Sequence, residues 1–96
     1  MEDKSIIADE ELNSFLEKYA GWNIDDIWLV KDFMFEKFSE FNLFLRHLTT
    51  VIVKQGHHPD VDIRPSEKRV TIRTSTHSTG GLTKADIDLA IALEDH

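Results

Sequence analysis

The segment from about Lys37 to Gln55 constrains the fold more than any other stretch of the chain. Phe38, Phe41, Phe44, Leu45, Leu48 and Ile52 recur in it at three- and four-residue steps, which puts them on one stripe of a helix. Gly56 is well placed as the left-handed residue beyond the helix end, and Pro59 keeps His58 out of helical geometry. Such a helix must lay its stripe on something, and strand-forming sequence lies on both sides of it. At 3.6 residues per turn Leu43, Thr50 and Val53, with Arg46 among them, project away from the stripe. They are either scattered exposed residues or a second, helix-to-helix contact in an oligomer.

Upstream, Asp9 is placed to cap a first helix through Leu12, Phe15, Leu16 and Tyr19, with Gly21 ending it. The acidic run Asp9-Glu10-Glu11 is favoured there by the helix dipole. Trp22-Asn23-Ile24 opens a strand, Asp25-Asp26 turns the chain, and Ile27 to Phe35 returns as a strand dense in β-branched and aromatic residues. Leu29, Phe33 and Phe35 share a face with Lys31. Trp28, Val30 and Met34 make the other face partly apolar, which implies burial on both faces or a partner chain.

Downstream, Val61 and Ile63 alternate with Asp60, Asp62 and Arg64, Pro65-Ser66-Glu67-Lys68 turns the chain, and Arg69 to Thr76 returns. Val70, Ile72 and Thr74 occupy one face of the return strand; Arg69, Thr71, Arg73 and Ser75 occupy the other, with His77 in phase at its end. Gly80-Gly81 breaks the strand, and Thr83 starts a final helix with Ile87, Ala90, Ile91 and Leu93 inward. The order α-β-β-α-β-β-α, with strands joined as hairpins, predicts an α+β fold: a four-stranded antiparallel sheet covered on one face by helices.

Ninety-six residues predict a single domain, 1–96, near the lower end of what buries an independent core, so added burial by self-association is expected. No cysteine is present, which rules out a disulfide framework and a thiolate metal site and fits a reducing cytoplasm. Lys and Arg total 11 against 18 Asp and Glu, a net charge of −7. That balance lacks the positive footprint selected by phosphate backbones and argues against nucleic-acid binding. The apolar runs are too short for a membrane span, and no secretory signal region is visible.

The chemistry concentrates in Gly56-His57-His58-Pro59-Asp60 and in His77. A hairpin brings its two outer ends together, so His57 and His58 before it can face His77 after it. Imidazole titrates near neutrality, and such a cluster can supply both a general acid and a general base. Two other readings are surface histidines without a role and a zinc site completed by Asp60 or Asp62. An adjacent His-His pair points its rings apart, however, and no helical i, i+4 ligand pair accompanies it. His47, near the border of the apolar stripe, and His96 read as structural or inert. Thr83 and Asp86 have the spacing of a helix cap and its reciprocal acid, a structural account that is compatible with Asp86 orienting a nearby histidine. Trp22 and Trp28 flank the first hairpin; either could stack on a flat heterocycle, and core packing is the simpler account of each.

Taken together, these pieces resemble the pterin-4a-carbinolamine dehydratases over nearly the whole chain: Gly21-Trp22-Asn23, Phe33 to Phe38, the His57-His58-Pro59-Asp60 stretch, Thr76-His77, and Gly81-Leu82-Thr83 followed by Asp86 and Asp88-Leu89-Ala90. The resemblance implies a hydro-lyase that removes water from a 4a-hydroxytetrahydropterin to give the quinonoid dihydropterin, as in tetrahydrobiopterin recycling. That reaction calls for no metal, redox cofactor or covalent nucleophile. By the same resemblance His57, His58 and His77 are catalytic, His58 foremost, and Pro59, Ser75, Thr76 and Ser78 shape the pterin site. Asp86 and Trp22 support it. The implied protomer is cytoplasmic, with no nucleic-acid or membrane partner, and joins its sheet to a neighbour's in a homodimer or in a homotetramer paired through the long helices. Some relatives are also dimerisation partners of a transcription factor, which gives the alternative of an oligomeric binding module with weak or no dehydratase activity. Four departures stand out. Val53 replaces a glutamate common four residues before the doublet and removes a carboxylate able to orient or bias a histidine. Val61 replaces an aromatic residue, and no tyrosine lies between His58 and His77; the hairpin also runs about two residues longer around Pro65-Ser66.

Overall fold

The structure is a computed structural model and describes residues 2–96. Its elements follow the predicted order: α1 (Asp9–Lys18), β1 (Asn23–Asp25), β2 (Trp28–Met34), α2 (Phe38–Gln55), β3 (Asp60–Arg64), β4 (Arg69–Thr74) and α3 (Lys84–Glu94). Short 3₁₀ turns at Pro65–Glu67 and His77–Thr79 flank β4. Helix α2 ends as its sequence dictates. Gly56 takes the left-handed conformation at φ 66°, and its N–H donates to the Ile52 carbonyl at 3.0 Å.

The four strands pair antiparallel in the order β1-β2-β4-β3, which makes β2 and β4 the central pair. Their covered face carries Leu29, Phe33, Val70, Ile72 and Thr74, all buried. Phe41, Phe44, Leu48 and Val51 of α2 and Ile87, Leu89, Ala90 and Leu93 of α3 pack over it, with Phe15 and Trp22 closing the side near α1. The rings of Phe33 and Phe44 stack with centroids 4.5 Å apart, and Trp22 meets Phe33 edge-on at 5.9 Å. Lys31 shares this face without being left unpaired. Its ammonium donates to the Glu94 carboxylate at 2.8 Å and to the Ala20 carbonyl at 3.1 Å.

Several expectations give way to tertiary detail. Ala8, not Asp9, is the N-cap of α1, and Asp9 is the first helical residue. Phe38 lies in the first turn of α2, 59 % exposed, while Val51 takes a buried place that the stripe had left out. Ile91 is 38 % exposed and borders the groove between α1 and α3 beside Phe15 and Tyr19, because Leu89, Ala90 and Leu93 already fill the contact with the sheet. Strand β4 ends at Thr74, so the alternation predicted through Ser75 and His77 stops there and both Ser75 and Thr76 turn inward. Among the described residues no helix is long and apolar enough to cross a membrane.

Candidate active site

The register of the second hairpin decides where chemistry can occur. Asp60 pairs with Arg73, so the residues just before β3 meet those just after β4, and both reach the N-terminus of α3. At this junction a cavity of about 230 Å³ is lined by His57, His58 and His77, with Ser75, Thr76 and Ser78 along one wall. Glu2 and Lys4, from the segment before α1, complete the lining. That segment is held by the Lys84 N–H donating to the Ser5 carbonyl at 2.9 Å and by an antiparallel bridge between Ile6 and Thr83.

The inner wall is a dense polar network. Asp86 is fully buried at the start of α3, where its Oδ2 accepts from the Thr83 N–H at 2.9 Å and the Thr83 hydroxyl accepts from the Ala85 N–H, closing the predicted cap. Oδ2 also accepts from the Thr76 hydroxyl at 2.8 Å, and Oδ1 accepts from the Thr74 hydroxyl at 2.6 Å and from His57 Nε2 at 2.7 Å. Four donors satisfy the acceptor capacity of one carboxylate, which is how a buried acid remains tolerable. The Thr76 hydroxyl spends its hydrogen on Asp86, so the 2.8 Å contact between Thr76 and Thr83 has the Thr83 hydroxyl as donor.

His57 is 5 % exposed, and its other nitrogen, Nδ1, lies 2.6 Å from Glu2 Oε1. The hydrogen bond from His57 is the main reason the Glu2 carboxyl is held below its usual range, with the Lys4 ammonium, 3.5 Å away, adding to it. Facing two carboxylates, which as anions can only accept, the ring has a donor's place at both nitrogens.

The outer rim is open. His58 and His77 are exposed. The His77 ring meets Trp28 edge-on at 5.3 Å, and the Arg73 guanidinium lies 4.8 Å from the Trp28 ring on the uncovered side of the sheet. Between wall and rim, the Ser75 hydroxyl is buried without a hydrogen-bond partner among the described residues.

The family model described as pterin 4 alpha carbinolamine dehydratase matches residues 5–96. The chain belongs to that family. A relative from Prochlorococcus marinus (strain NATL2A), provisionally named a pterin-4-alpha-carbinolamine dehydratase, is 38 % identical over 90 residues, covering 94 % of this chain and 93 % of its own length. One from Chloroflexus aurantiacus (strain ATCC 29366 / DSM 635 / J-10-fl), named in the same provisional way, is 32 % identical and covers 93 % and 94 %. The crystal structure of a transcriptional coactivator/pterin dehydratase from Brucella melitensis superposes with a TM-score of 0.80 at 27 % identity over 95 % of this chain and 97 % of that one. A pterin dehydratase-like protein identified as a RuBisCO assembly factor in the alpha-carboxysome shares the fold at a TM-score of 0.62, with 20 % identity over 77 % and 83 %.

Within this pterin dehydratase fold the residues singled out in the sequence divide. The three histidines, Ser75, Thr76 and Ser78 meet at one cavity, and Asp86 stands directly behind His57. Trp22 is not brought to it; the indole is 4 % exposed in the core, where its N–H donates to Glu94 at 3.3 Å. Trp28 is the tryptophan beside His77. Pro59 is half-buried next to the doublet but outside the cavity lining, and Asp62 is engaged with Arg64 at 3.0 Å. His47 bonds the Ala92 carbonyl at 2.8 Å and His96 packs edge-on against Phe44 at 5.1 Å, both away from the cavity. Glu2, Lys4 and Thr74 were not singled out. Thr74 had a readable signal in its inward phase on the return strand; Glu2 lies in a short polar stretch with no periodicity to mark it.

Proposed function

We propose that the protein dehydrates 4a-hydroxytetrahydropterins by histidine general acid/base catalysis, acting as a single cytoplasmic domain in the recycling of a tetrahydrobiopterin-type cofactor. The observation that carries this reading is the meeting of His57, His58 and His77, from two separate loops, at one cavity. The reaction transfers one proton to the 4a-oxygen, which leaves as water, and removes one from N5, so the product is the quinonoid dihydropterin and the proton count balances. His58, exposed at the rim, is the principal acid/base, and His77 handles the second proton against Trp28. The Ser75 hydroxyl, unpartnered among the described residues, gives a ring rich in donors and acceptors something to bind, with Thr76 and Ser78 on the same wall and the turn at Pro59 holding the doublet beside it.

The test is to supply enzymatically generated 4a-carbinolamine and follow the absorbance of the dihydropterin. Acceleration over buffer that is lost in His58→Ala supports the reading; an unaccelerated reaction, or equal acceleration by the variant, overturns it.

A second reading is favoured by α2, whose outward Leu43 and Val53 are 62 % and 82 % exposed. On this reading the chain is an oligomeric binding module, a homodimer or homotetramer docked through that face. Light scattering separates the two roles: Val53→Lys abolishes association, whereas a His57→Ala, His58→Ala double variant leaves it intact.

A further inference from the structure

Helix α2 brings no carboxylate to the buried imidazole, since Val53 stands one turn before the doublet and points to solvent. The carboxylate arrives instead from the far end of the sequence. Residues 2–6 run alongside the start of α3, pinned at Ser5 and Ile6, and this lays Glu2 against His57 Nδ1 at 2.6 Å. The two carboxylates that grip His57 are unequal. Asp86 is completely enclosed and committed to four donors, whereas the Glu2 side chain is 27 % exposed and lines the cavity. Only Glu2 can respond to what occupies the cavity.

We propose that Glu2 is a positioning residue, the outer member of a Glu2–His57–Asp86 chain that fixes both nitrogens of the imidazole and completes the cavity wall. Held in this way, His57 has no free lone pair and does not exchange protons with a ligand by itself. It orients the wall, and proton transfer falls to His58 and His77. The assignment rests on the dehydratase reading for its catalytic consequence, though not for the geometry of the chain itself.

Two measurements decide it. In nitrogen-resolved NMR spectra the wild-type His57 ring shows two N–H signals, one on each nitrogen. Glu2→Ala loses the Nδ1–H signal to rapid exchange and keeps the Nε2–H signal that Asp86 holds, while Glu2→Gln, which still offers an acceptor, retains both. In the dehydratase assay Glu2→Ala lowers kcat about tenfold, the scale of one lost positioning hydrogen bond, with KM within about twofold, and Glu2→Gln recovers most of the loss. Both ring signals persisting in Glu2→Ala, a single signal in the wild type, or undiminished kcat in Glu2→Ala would overturn the assignment. A wild-type protein that turns over no carbinolamine sinks the dehydratase reading instead and leaves the ring signals to decide the Glu2–His57 link.

Discussion

His57 and His58 are neighbours in sequence and belong to opposite physical regimes. The first is buried, has a carboxylate against each ring nitrogen, and sits in a network with Thr74, Thr76 and Thr83 in which nearly every polar atom is spoken for. The second is exposed at the cavity rim, which it shares with His77, whose ring lies against Trp28. Proline after the doublet separates the two, because an extended His58 must turn its side chain to the face opposite that of His57. The difference teaches that the two members of a doublet can be placed apart: one imidazole is built into the wall and the other is left open to the cavity.

The strongest way to break this division is to strip the wall. Asp86→Ala removes the inner partner of the buried imidazole and the acceptor of the Thr83 N–H, and urea unfolding should show a loss of about 3–5 kcal/mol, the cost of removing one partner of a buried, hydrogen-bonded pair. The rim should respond in the opposite sense. His58→Ala should lower kcat/KM by about two orders of magnitude, the usual contribution of a positioned acid/base, while stability stays within about 0.5 kcal/mol of wild type. If His58→Ala unfolds the protein as readily as Asp86→Ala, the division does not exist. A finer probe is Thr74→Val, which deletes one of the four donors to Asp86 at nearly constant volume; a loss of about 2 kcal/mol in the same unfolding experiment is expected for a hydrogen bond to a buried carboxylate.

The smallest effect is a pH response at the edge between the regimes. Glu2 has its carboxyl depressed by His57, so the stabilisation from this contact is fully present above the ordinary glutamate range and is lost as pH falls through the lower, folded-state value. The groups facing Glu2 are His57 and Lys4, and both favour its ionised form. The side-chain carboxyl carbon of Glu2, followed by NMR, should therefore titrate below the ordinary range in the wild type and return toward it in His57→Gln.

Much of this was written locally. Gly56, the Thr83 to Asp86 spacing and the alternation of Val70, Ile72 and Thr74 each encode a short-range geometry that the structure keeps, although the return strand stops at Thr74, short of the expected Thr76. The three histidines could be brought together from hairpin logic alone, since antiparallel pairing fixes which ends meet. What was not legible depends on contacts across the chain. Nothing near Glu2 announces a partner 55 residues away, and the choice between Trp22 and Trp28 is made by which side of the sheet each leaves. Phe38 and Ile91 show the same limit on a smaller scale: helical periodicity names a stripe but not the length of it that the sheet covers.

The bond from the Thr83 N–H to Asp86 has a further consequence. It makes the first turn of α3 and the histidine wall one cooperative unit, so fraying of that turn and release of the imidazole are a single opening event. Hydrogen exchange at the Thr83 amide thus reads out, at one backbone position and without any substrate, how often the site comes apart.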